Sequence, residues 1–399
     1  MQLFDYEKAV HLMERSGVDI LLPHTLLNAG YLADHWKHDL YTSIGTYTTF
    51  DKDEPYQFFV GLPKDRKIEP FVTCRRASEE GDMYNWGMWI DDVRVWGVNE
   101  LPRSLNSPLP PVAKLMYVDP YEAVAAALKE RGLSGADIGI ERRYLGVEGY
   151  EKLQRLLPHA NFHDVLDLFL ELRVIKSQEE VRRMRIASQS TEKALGVAID
   201  SIRPGMTGLD LESMIGAEHY RSGVRHEWIH TQIGPIGIDV VGPNPAEIRP
   251  GDMVRIDTGC SYRHYRSDFG LLLSFGDPNE ELLHIFRAMR PAMDAVLEAL
   301  RPGVSASRLF EIGNRVIARE GFESYLMYLG HGVGRNAHEE PVLAEDSKWI
   351  LEKNMIIAIE LVTVRASLGM IALEDIVVIT SDGHEDLSTI GRELHVIKS

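Results

Sequence analysis

Two carboxylates, Asp257 and Asp268, lie eleven residues apart in the stretch GDMVRIDTGCSYRHYRSDFG, which runs from Gly251 to Gly270. Asp257 ends one apolar run and Asp268 begins the next, so both are predicted at the mouths of neighbouring strands. Aspartate is common in such places because its side chain bonds nearby backbone N–H groups of a turn. Taken alone, the pair is explained by turn chemistry, and a binding site needs support from elsewhere in the chain.

Further polar residues lie in apolar surroundings downstream. MYLGHGVGRNAHEEP contains His331 and His338, MIIAIELVTV contains Glu360, and GMIALEDIVVIT contains Glu374 and Asp375. An ionised carboxylate inside a buried strand is costly unless it is paired or binds a metal. Each of these residues alone could still be the solvent-facing member of an antiparallel strand.

The full set of carboxylates favours a metal site. Oxygen ligands with one imidazole suit divalent Mn, Fe, Co or Zn. Two such ions would balance the charge of four carboxylates and make their burial tolerable. The sequence therefore predicts two divalent metal ions held between two parts of the chain.

The elements that would position these residues form an internal repeat. IRPGMTGLDLESMIGAEHYRSGV starts at Ile202, and LRPGVSASRLFEIGNRVIAREGF starts at Leu300, so Arg-Pro-Gly recurs at an offset of 98. In each copy a likely N-cap type of residue, Thr207 or Ser305, precedes a helical pattern. Two copies predict a pseudo-two-fold domain with a cleft near its axis.

The preceding part of the chain alternates strand and helix patterns. VDILLP, YQFFVGLP, EPFVTC and DIGIE are typical of strands, and DPYEAVAAALKERG and VEGYEKLQRLLP are typical of helices. This alternation predicts an α/β domain. A capping box, Ser177 with Glu180, then opens a long helical pattern. We place the domains at residues 1–172 and 173–399.

Bulk composition limits the partners and the compartment. The 399 residues carry a net charge of −17, which argues against nucleic acid or an anionic membrane as main partner. Two cysteines, Cys74 and Cys260, indicate a reducing compartment. No signal peptide or membrane span is visible in the sequence. We expect a soluble, cytoplasmic protein.

These motifs resemble the pita-bread metallopeptidases, which include methionine aminopeptidase, aminopeptidase P and prolidase, with creatinase as a metal-free relative. The layout is similar over the whole chain, and LRVIKSQEEV from Leu172 looks like the linker that enters the catalytic domain. The resemblance implies a creatinase-like α/β N-terminal domain and an α+β pita-bread C-terminal domain with an internal pseudo-two-fold duplication. The five family ligands map onto Asp257, Asp268, His331, Glu360 and Glu374.

The resemblance also implies roles. Asp268 and Glu374 would bridge two metal ions, Asp257 would hold one ion, and His331 with Glu360 the other. The ions would activate a water at neutral pH. Glu360 would also accept the proton of that water, and His338 would stabilise the oxyanion.

Several positions depart from the peptidases of this family. No histidine lies between His230 and Asp257, so His230 is a candidate to replace the family's upstream histidine. Four further departures are Pro243 at the position of creatinase's catalytic histidine, Met327 for a histidine, Leu361 for a proline and Ala372 for an arginine. The predicted metal ligands are intact, and the residues that hold a peptide differ.

Three functions remain open from the sequence. The first is a dinuclear metal-dependent hydrolase of an amide C–N bond, like an Xaa-Pro aminopeptidase or dipeptidase. The second is a hydrolase of a small non-peptide amide or amidine, like creatinase or ectoine hydrolase. The third is a non-catalytic pita-bread binding module, although such modules usually lose ligands. We expect a small-molecule or short-peptide substrate and a homodimer, in which Tyr31–Phe50 closes the partner's cleft.

Overall fold

The chain divides into two units, Met1–Arg173 and Val174–Ser399, in a computed structural model that describes residues 2–34, 58–75, 88–96, 113–117, 119–235 and 242–398. The predicted combination of an α/β N-terminal domain with an α+β C-terminal domain is confirmed. The domain boundary between residues 172 and 173 stays a prediction.

The first unit is built on one seven-stranded mixed sheet. Its strand order is β5-β4-β3-β2-β1-β6-β7. The strands are β1 (Ile20–Leu21), β2 (Phe59–Pro63), β3 (Phe71–Arg75), β4 (Asp92–Trp96), β5 (Ala113–Tyr117), β6 (Asp137–Ile140) and β7 (Asn161–Asp164). The helices are α1 (Tyr6–Arg15), α2 (Asn28–Ala33), α3 (Pro120–Glu130), α4 (Val147–Leu156) and α5 (Leu166–Val174).

The patterns identified in this part all form the expected elements. VDILLP supplies only the two-residue strand β1, and the other three strand patterns supply β2, β3 and β6. β1 pairs antiparallel with β2 and parallel with β6, so it lies inside the sheet and is buried. Residues 35–50, most of the stretch expected to close a partner's cleft, lie outside the described residues.

The second unit contains the predicted repeat. Its helices are α6 (Gln178–Ser201), α7 (Gly208–Arg221), α8 (Glu280–Ala299) and α9 (Ala306–Arg319). Its strands are β8 (Arg225–Ile233), β9 (Met253–Tyr262), β10 (Tyr265–Arg266), β11 (Phe269–Phe275), β12 (Gly330–Gly332), β13 (Ile356–Arg365), β14 (Gly369–Ile379), β15 (His384–Asp386) and β16 (Leu394–Ile397).

Two sheets carry the strands of this unit. In the first, β9 pairs with β8, β10 and β11, and β11 also pairs with β16. The second has the order β12-β13-β14-β15. A large apolar core forms where α8 and α9 pack with β13 and β14. Because β11 and β14 also contact each other, side chains from both sheets can meet.

The duplication is visible in the helix caps. The Thr207 side chain accepts a hydrogen bond from the backbone of Asp210 at the start of α7, and Ser305 accepts one from Arg308 at the start of α9. Both helices end before a glycine with positive φ, Gly223 at 74° and Gly321 at 77°. Equivalent caps and equivalent C-terminal turns confirm the repeat inferred from the sequence.

A short 3-10 turn, Ile390–Arg392, joins the two sheets beneath β14. Its central residue, Gly391, lies against two backbone carbonyls from different sheets. A Cβ there would lie 2.9 Å from Gly270 O and closer still to Glu374 O. Only glycine fits this close approach, and the turn thereby sits directly behind Glu374.

Among the residues described, no helix is sufficiently long and apolar to span a bilayer.

Candidate metal centre

Asp257 lies in the interior of a strand. The sequence placed it at the end of an apolar run, but β9 continues to Tyr262. β9 extends because strands pair with it on both sides, with Asp257 opposite His230 of β8 and opposite Gly270 of β11. Residues paired across a sheet project from the same face. The side chains of Asp257 and His230 therefore lie side by side.

Asp268 immediately precedes β11, as predicted. The preceding residue, Ser267, is buried and anchors this position, because its hydroxyl accepts a hydrogen bond from the backbone of Cys260 at 3.1 Å. His331 reaches the same region from the second sheet, where it lies on β12 opposite Ala358. Its Nε2 is 3.9 Å from Asp268 Oδ2.

Glu360 and Glu374 are cross-strand partners on β13 and β14. Their side chains project from one face, since directly opposed residues share a face. Asp375, which the sequence also singled out, faces the other side and lies opposite Ile359. There Arg392 Nε is 2.9 Å from Asp375 Oδ2, so this carboxylate belongs to a separate ion pair.

The five predicted ligands converge from both halves of the repeat. Two groups have potential ligand atoms within 4.8 Å of one another, Asp257 with Asp268 and Glu374, and His331 with Glu360 and Glu374. A third such group contains Asp268, His331 and His338. Because the first two groups share Glu374, the arrangement matches two neighbouring ions with a common carboxylate.

The cluster is buried, and several of its atoms are unpaired. Exposure is 8% or less for all five residues. Asp268 Oδ2, Glu374 Oε2 and His331 Nε2 have no hydrogen-bond partner among the described residues. Buried polar atoms are normally satisfied, and exceptions point to a bound ion or water. Carboxylate and imidazole donors aimed at one place fit divalent metal ions.

The electrostatics of the cluster lead to the same conclusion. Burial, and then the charge of Asp257, raise the pKa of Glu360 to about 7. Burial and neighbouring carboxylates raise the pKa values of Asp268 and Glu374 well above their usual range. Burial lowers the pKa of His331 to about 3, so this imidazole is uncharged at neutral pH and can act as a metal ligand. The protein alone does not stabilise three of the four carboxylates as anions, and a divalent cation would do so.

Asp257 is the exception because the protein supplies it with partners. Arg255 Nη2 donates a hydrogen bond to Asp257 Oδ2 at 2.9 Å, and His230 Nδ1 is 3.3 Å from the same oxygen. The indole N–H of Trp228 is 3.5 Å from Asp257 Oδ1. Burial alone would raise the pKa of Asp257, but His230 and Arg255 outweigh it and lower the pKa to about 2.

A cavity of about 580 Å³ opens onto the cluster. Besides cluster residues, its walls are formed by Glu227, Trp228, His230, Arg266, Asn336 and Ala337, together with His338. Trp228 lies over Gly259, where any Cβ would overlap the indole ring. This volume accommodates a small molecule or short peptide.

His338 stands at the entrance of the cluster. Its ring stacks on His331 with centroids 3.8 Å apart, and its Nε2 lies 3.9 Å from Asp268 Oδ2. The side chain is 62% exposed, in contrast to His331 at 2%. His338 therefore reaches both the cluster and the cavity, which a histidine of a remote surface loop would not do.

Sequence reasoning missed several residues that contact the site. Arg255 was not singled out, although alternation along β9 puts it on the same face as Asp257. Trp228 and His230 follow the same alternation on β8, and only His230 was considered. Arg266 stands two residues before Asp268, and nothing in the local pattern distinguished it from a surface arginine.

The positions that depart from the family pattern are accounted for as follows. Leu361 is buried opposite Leu373, and Ala372 lies opposite Val362 in a small apolar cluster. Met327 is 89% exposed. Residues 236–241, upstream of Pro243, lie outside the described part of the chain.

Two family models match the chain. One described as metallopeptidase family M24 matches residues 182–381, and one described as the creatinase/prolidase N-terminal domain matches residues 7–175. Together they cover both units. The first match contains all five predicted ligands together with His230 and His338.

Xaa-Pro dipeptidases and a prolidase are among the similar proteins. The chain is 29% identical over 285 residues to an Xaa-Pro dipeptidase of Lactobacillus helveticus, covering 70% of this chain and 77% of the relative. It is 27% identical to an Xaa-Pro dipeptidase of Lactobacillus delbrueckii subsp. lactis, covering 89% and 93%. The solved prolidase of Pyrococcus horikoshii OT3 has the same fold, with a TM-score of 0.78 at 23% identity over 98% of this chain and 99% of that one.

Proposed function

The chain belongs to metallopeptidase family M24 and is a hydrolase that depends on two divalent metal ions, and we propose that it cleaves the amide bond of Xaa-Pro dipeptides. The observation that carries the proposal is the cluster of four carboxylates and His331, onto which a cavity of about 580 Å³ opens. The names of the similar Xaa-Pro dipeptidases support the substrate class.

We assign the metal ligands as Asp257, Asp268, His331, Glu360 and Glu374. The unpaired buried atoms of Asp268, His331 and Glu374 support this assignment. Asp268 and Glu374 would help to hold both ions, and Glu374 belongs to both of the main ligand groups. When bound, the ions supply Lewis acidity for the attacking water and the scissile carbonyl.

We assign the proton of the attacking water to Glu360. Glu360 lines the cavity, and the Tyr328 hydroxyl hydrogen-bonds its carboxylate and orients it. A carboxylate in this position takes the proton while the nucleophile attacks, which is general-base catalysis.

The two remaining histidines have separate proposed roles. His338 is positioned to donate a hydrogen bond to the carbonyl oxygen as negative charge develops there. Its exposed ring and its contact with His331 support this role. His230 holds Asp257 through its Nδ1 and also lines the cavity, so it is proposed to orient that ligand beside the substrate.

The test is an assay of metal-loaded protein. Protein purified without chelator is analysed for Mn, Fe, Co and Zn, and is then assayed with Ala-Pro, Ala-Ala and a small cyclic amide. We expect hydrolysis of Ala-Pro that is lost with a strong chelator and restored by a divalent ion. Hydrolysis of the cyclic amide alone would instead favour the second function, a hydrolase of a small non-peptide amide or amidine. No turnover at full metal occupancy would contradict the proposal.

We also propose that the protein works in the cytoplasm as a homodimer. Cys74 and Cys260 are both buried free thiols, which supports a reducing compartment. Sedimentation of the purified protein tests the assembly. A monomer that keeps its full specific activity on dilution would contradict the proposed homodimer.

A further inference from the structure

Residues 333–341 form a loop that follows β12 and presents His338 to the cavity. Three residues of this loop line the cavity: Asn336, Ala337 and His338. The far end of the loop returns to β12, because the Glu339 N–H donates to Gly332 O at 2.7 Å and the Gly332 N–H donates to Glu339 O at 2.9 Å. The position of the His338 ring therefore depends on what holds the residues between these two points.

The Glu339 side chain turns back into the loop and is buried there. Its Oε1 accepts a hydrogen bond from the backbone N–H of Asn336 at 3.0 Å. Its Oε2 lies against Gly334, where a Cβ would be only 2.6 Å from this oxygen. The carboxylate thus fills the interior of the loop. A buried carboxylate in such a place is costly unless a cation faces it.

Lys176 supplies that cation from the segment before α6. Its Nζ lies 3.6 Å from Glu339 Oε2, and the two side chains are 1% and 4% exposed. The lysine is itself held, since its Nζ donates to Val174 O at 3.4 Å and its backbone N–H donates to Asn354 O at 3.0 Å. Asn354 lies just before β13, the strand that carries the proposed base, Glu360. One lysine therefore joins the His338 loop to the strand of the proposed base.

The stability of the fold does not explain this ion pair. Desolvation offsets most of the attraction within a buried pair, and two apolar side chains would stabilise the same site equally well. A charged pair with defined hydrogen bonds does fix one arrangement of the loop. Lys176 is not among the described residues that line the cavity, so it acts on the reaction through the groups that it holds.

We propose that Lys176 is a positioning residue, which holds the Glu339 carboxylate and thereby fixes His338 in the orientation that stabilises the oxyanion. The inference rests on the role proposed for His338. A misplacement of about 1 Å can cost about 10²-fold in rate, even when the altered residue is far from the chemistry. Because the oxyanion exists only as the reaction proceeds, the loss of Lys176 should affect kcat much more than KM.

The test measures hydrolysis of Ala-Pro by Mn²⁺-loaded protein at matched metal occupancy. We expect Lys176→Met to lower kcat by roughly ten- to hundredfold, with little change in KM. In a His338→Ala background the same substitution should add little, because the group that Lys176 positions is already absent. Losses that multiply as for independent residues would overturn the inference, and so would a wild-type kcat in Lys176→Met.

The matched control is Lys193→Met. Lys193 Nζ lies 2.6 Å from Glu218 Oε1, and neither residue is among the described residues that line the cavity. The control removes an ion pair of the same type and should keep the wild-type kcat.

A second variant covers the case in which Lys176→Met does not fold, since it leaves Glu339 buried without its cation. Lys176→Met/Glu339→Gln removes both charges and keeps an oxygen for the Asn336 N–H. It should fold and show the same low kcat. A wild-type kcat in this double variant would contradict the role of the pair.

Amide hydrogen exchange over residues 333–341 gives a readout that does not depend on activity. Exchange in this loop should be faster in Lys176→Met than in the wild type, and unchanged in Lys193→Met. If metal-loaded wild type does not hydrolyse Ala-Pro, the Xaa-Pro assignment fails, whereas the exchange rates still decide whether Lys176 holds the loop. Wild-type exchange in the folded Lys176→Met or double variant would overturn the inference.

Discussion

Arg255 donates a hydrogen bond to Asp257 across 2.9 Å, from two positions earlier on the same strand. Both side chains are buried, Arg255 at 3% and Asp257 at 8% exposure. An arginine cannot lose its proton inside a protein. The pair therefore gives one of the four cluster carboxylates a permanent counter-ion, whereas the other three depend on ions from outside the chain.

Replacing Arg255 should make the protein more dependent on metal. Arg255→Met leaves Asp257 buried without its cation, which typically costs about 3–5 kcal/mol. A divalent ion beside Asp257 would restore much of this stability, so the rise in Tm on adding Mn²⁺ should exceed that of the wild type. Arg290→Met is the control, because it removes one positive charge at a partly exposed site. Equal Tm losses with and without Mn²⁺ would contradict this expectation.

Glu360 and Asp257 should differ in the effect of losing their charge. Glu360→Gln removes a proposed ligand and also the proton acceptor, whereas Asp257→Asn removes only a ligand. General-base assistance is worth about 10²–10⁴ in rate. At excess metal, Asp257→Asn should recover substantial activity, and Glu360→Gln should stay at least about a hundredfold below wild type.

Occupancy has to be measured on the same samples, since an empty site would resemble a lost base. Equal recovery of both variants at matched occupancy would leave Glu360 as a ligand only. His338 or His230 would then become the better candidate for the base.

Removal of the ions should reverse the effect of pH on stability. Burial raises the folded-state pKa of Glu360 from 4.5 to about 7. The unfolded chain then releases this proton more readily, so the metal-free protein loses stability as pH rises from about 4.5 to 7. The raised pKa values of Asp268 and Glu374 act in the same direction. Metal binding favours the ionised carboxylates and should oppose this loss.

The measurement is the Tm between pH 5 and pH 8, with chelator and with Mn²⁺. We expect the Tm of the metal-free protein to fall over this range, and the difference between the two forms to grow. A constant difference across the range would show that the cluster carboxylates do not take part.

Two glycines should respond differently to one added methyl group. Gly391→Ala brings a Cβ against the backbone carbonyls of Glu374 and Gly270, and it should cost about 3 kcal/mol or more. Since the turn lies directly behind Glu374, the variant should also bind less Mn²⁺. Gly383→Ala is the control, because among the described residues no atom beyond its two chain neighbours lies within 4 Å of the position that a Cβ would take. Similar Tm values for the two variants would contradict the structural role that we infer for Gly391.

The metal cluster was accessible from sequence because its residues violate the pattern of their surroundings. Glu360 and Glu374 interrupt apolar strands that are otherwise continuous, and such positions are costly without a cation. The repeat was readable from matching caps and glycines, since each copy needs the same turns. Both signals are local. The structure brings these carboxylates together and repeats the caps, and the role of the carboxylates as metal ligands stays a prediction.

The neighbours of the cluster depend on register, which sequence does not specify. Glu374 and Asp375 are adjacent carboxylate residues. Only the pairing of β14 with β13 decides that the Glu374 side chain lies in the metal cluster. The partner of Asp375 is Arg392, in a turn that has no periodic pattern. The sequence did not predict that Arg266 lines the cavity, because the cavity is formed by segments far apart along the chain.

The order of synthesis gives the Arg255–Asp257 pair a further consequence. A ribosome delivers β8, β9 and β11 well before β13 and β14, so Asp257 and Asp268 emerge while Glu360 and Glu374 are still untranslated. During that interval Asp257 already has a neutralising neighbour within its own strand, and the nascent sheet can form around it. The other predicted ligands, His331, Glu360 and Glu374, arrive only with the second half of the repeat. Metal uptake is therefore expected as the last step of maturation, after both halves have left the exit tunnel.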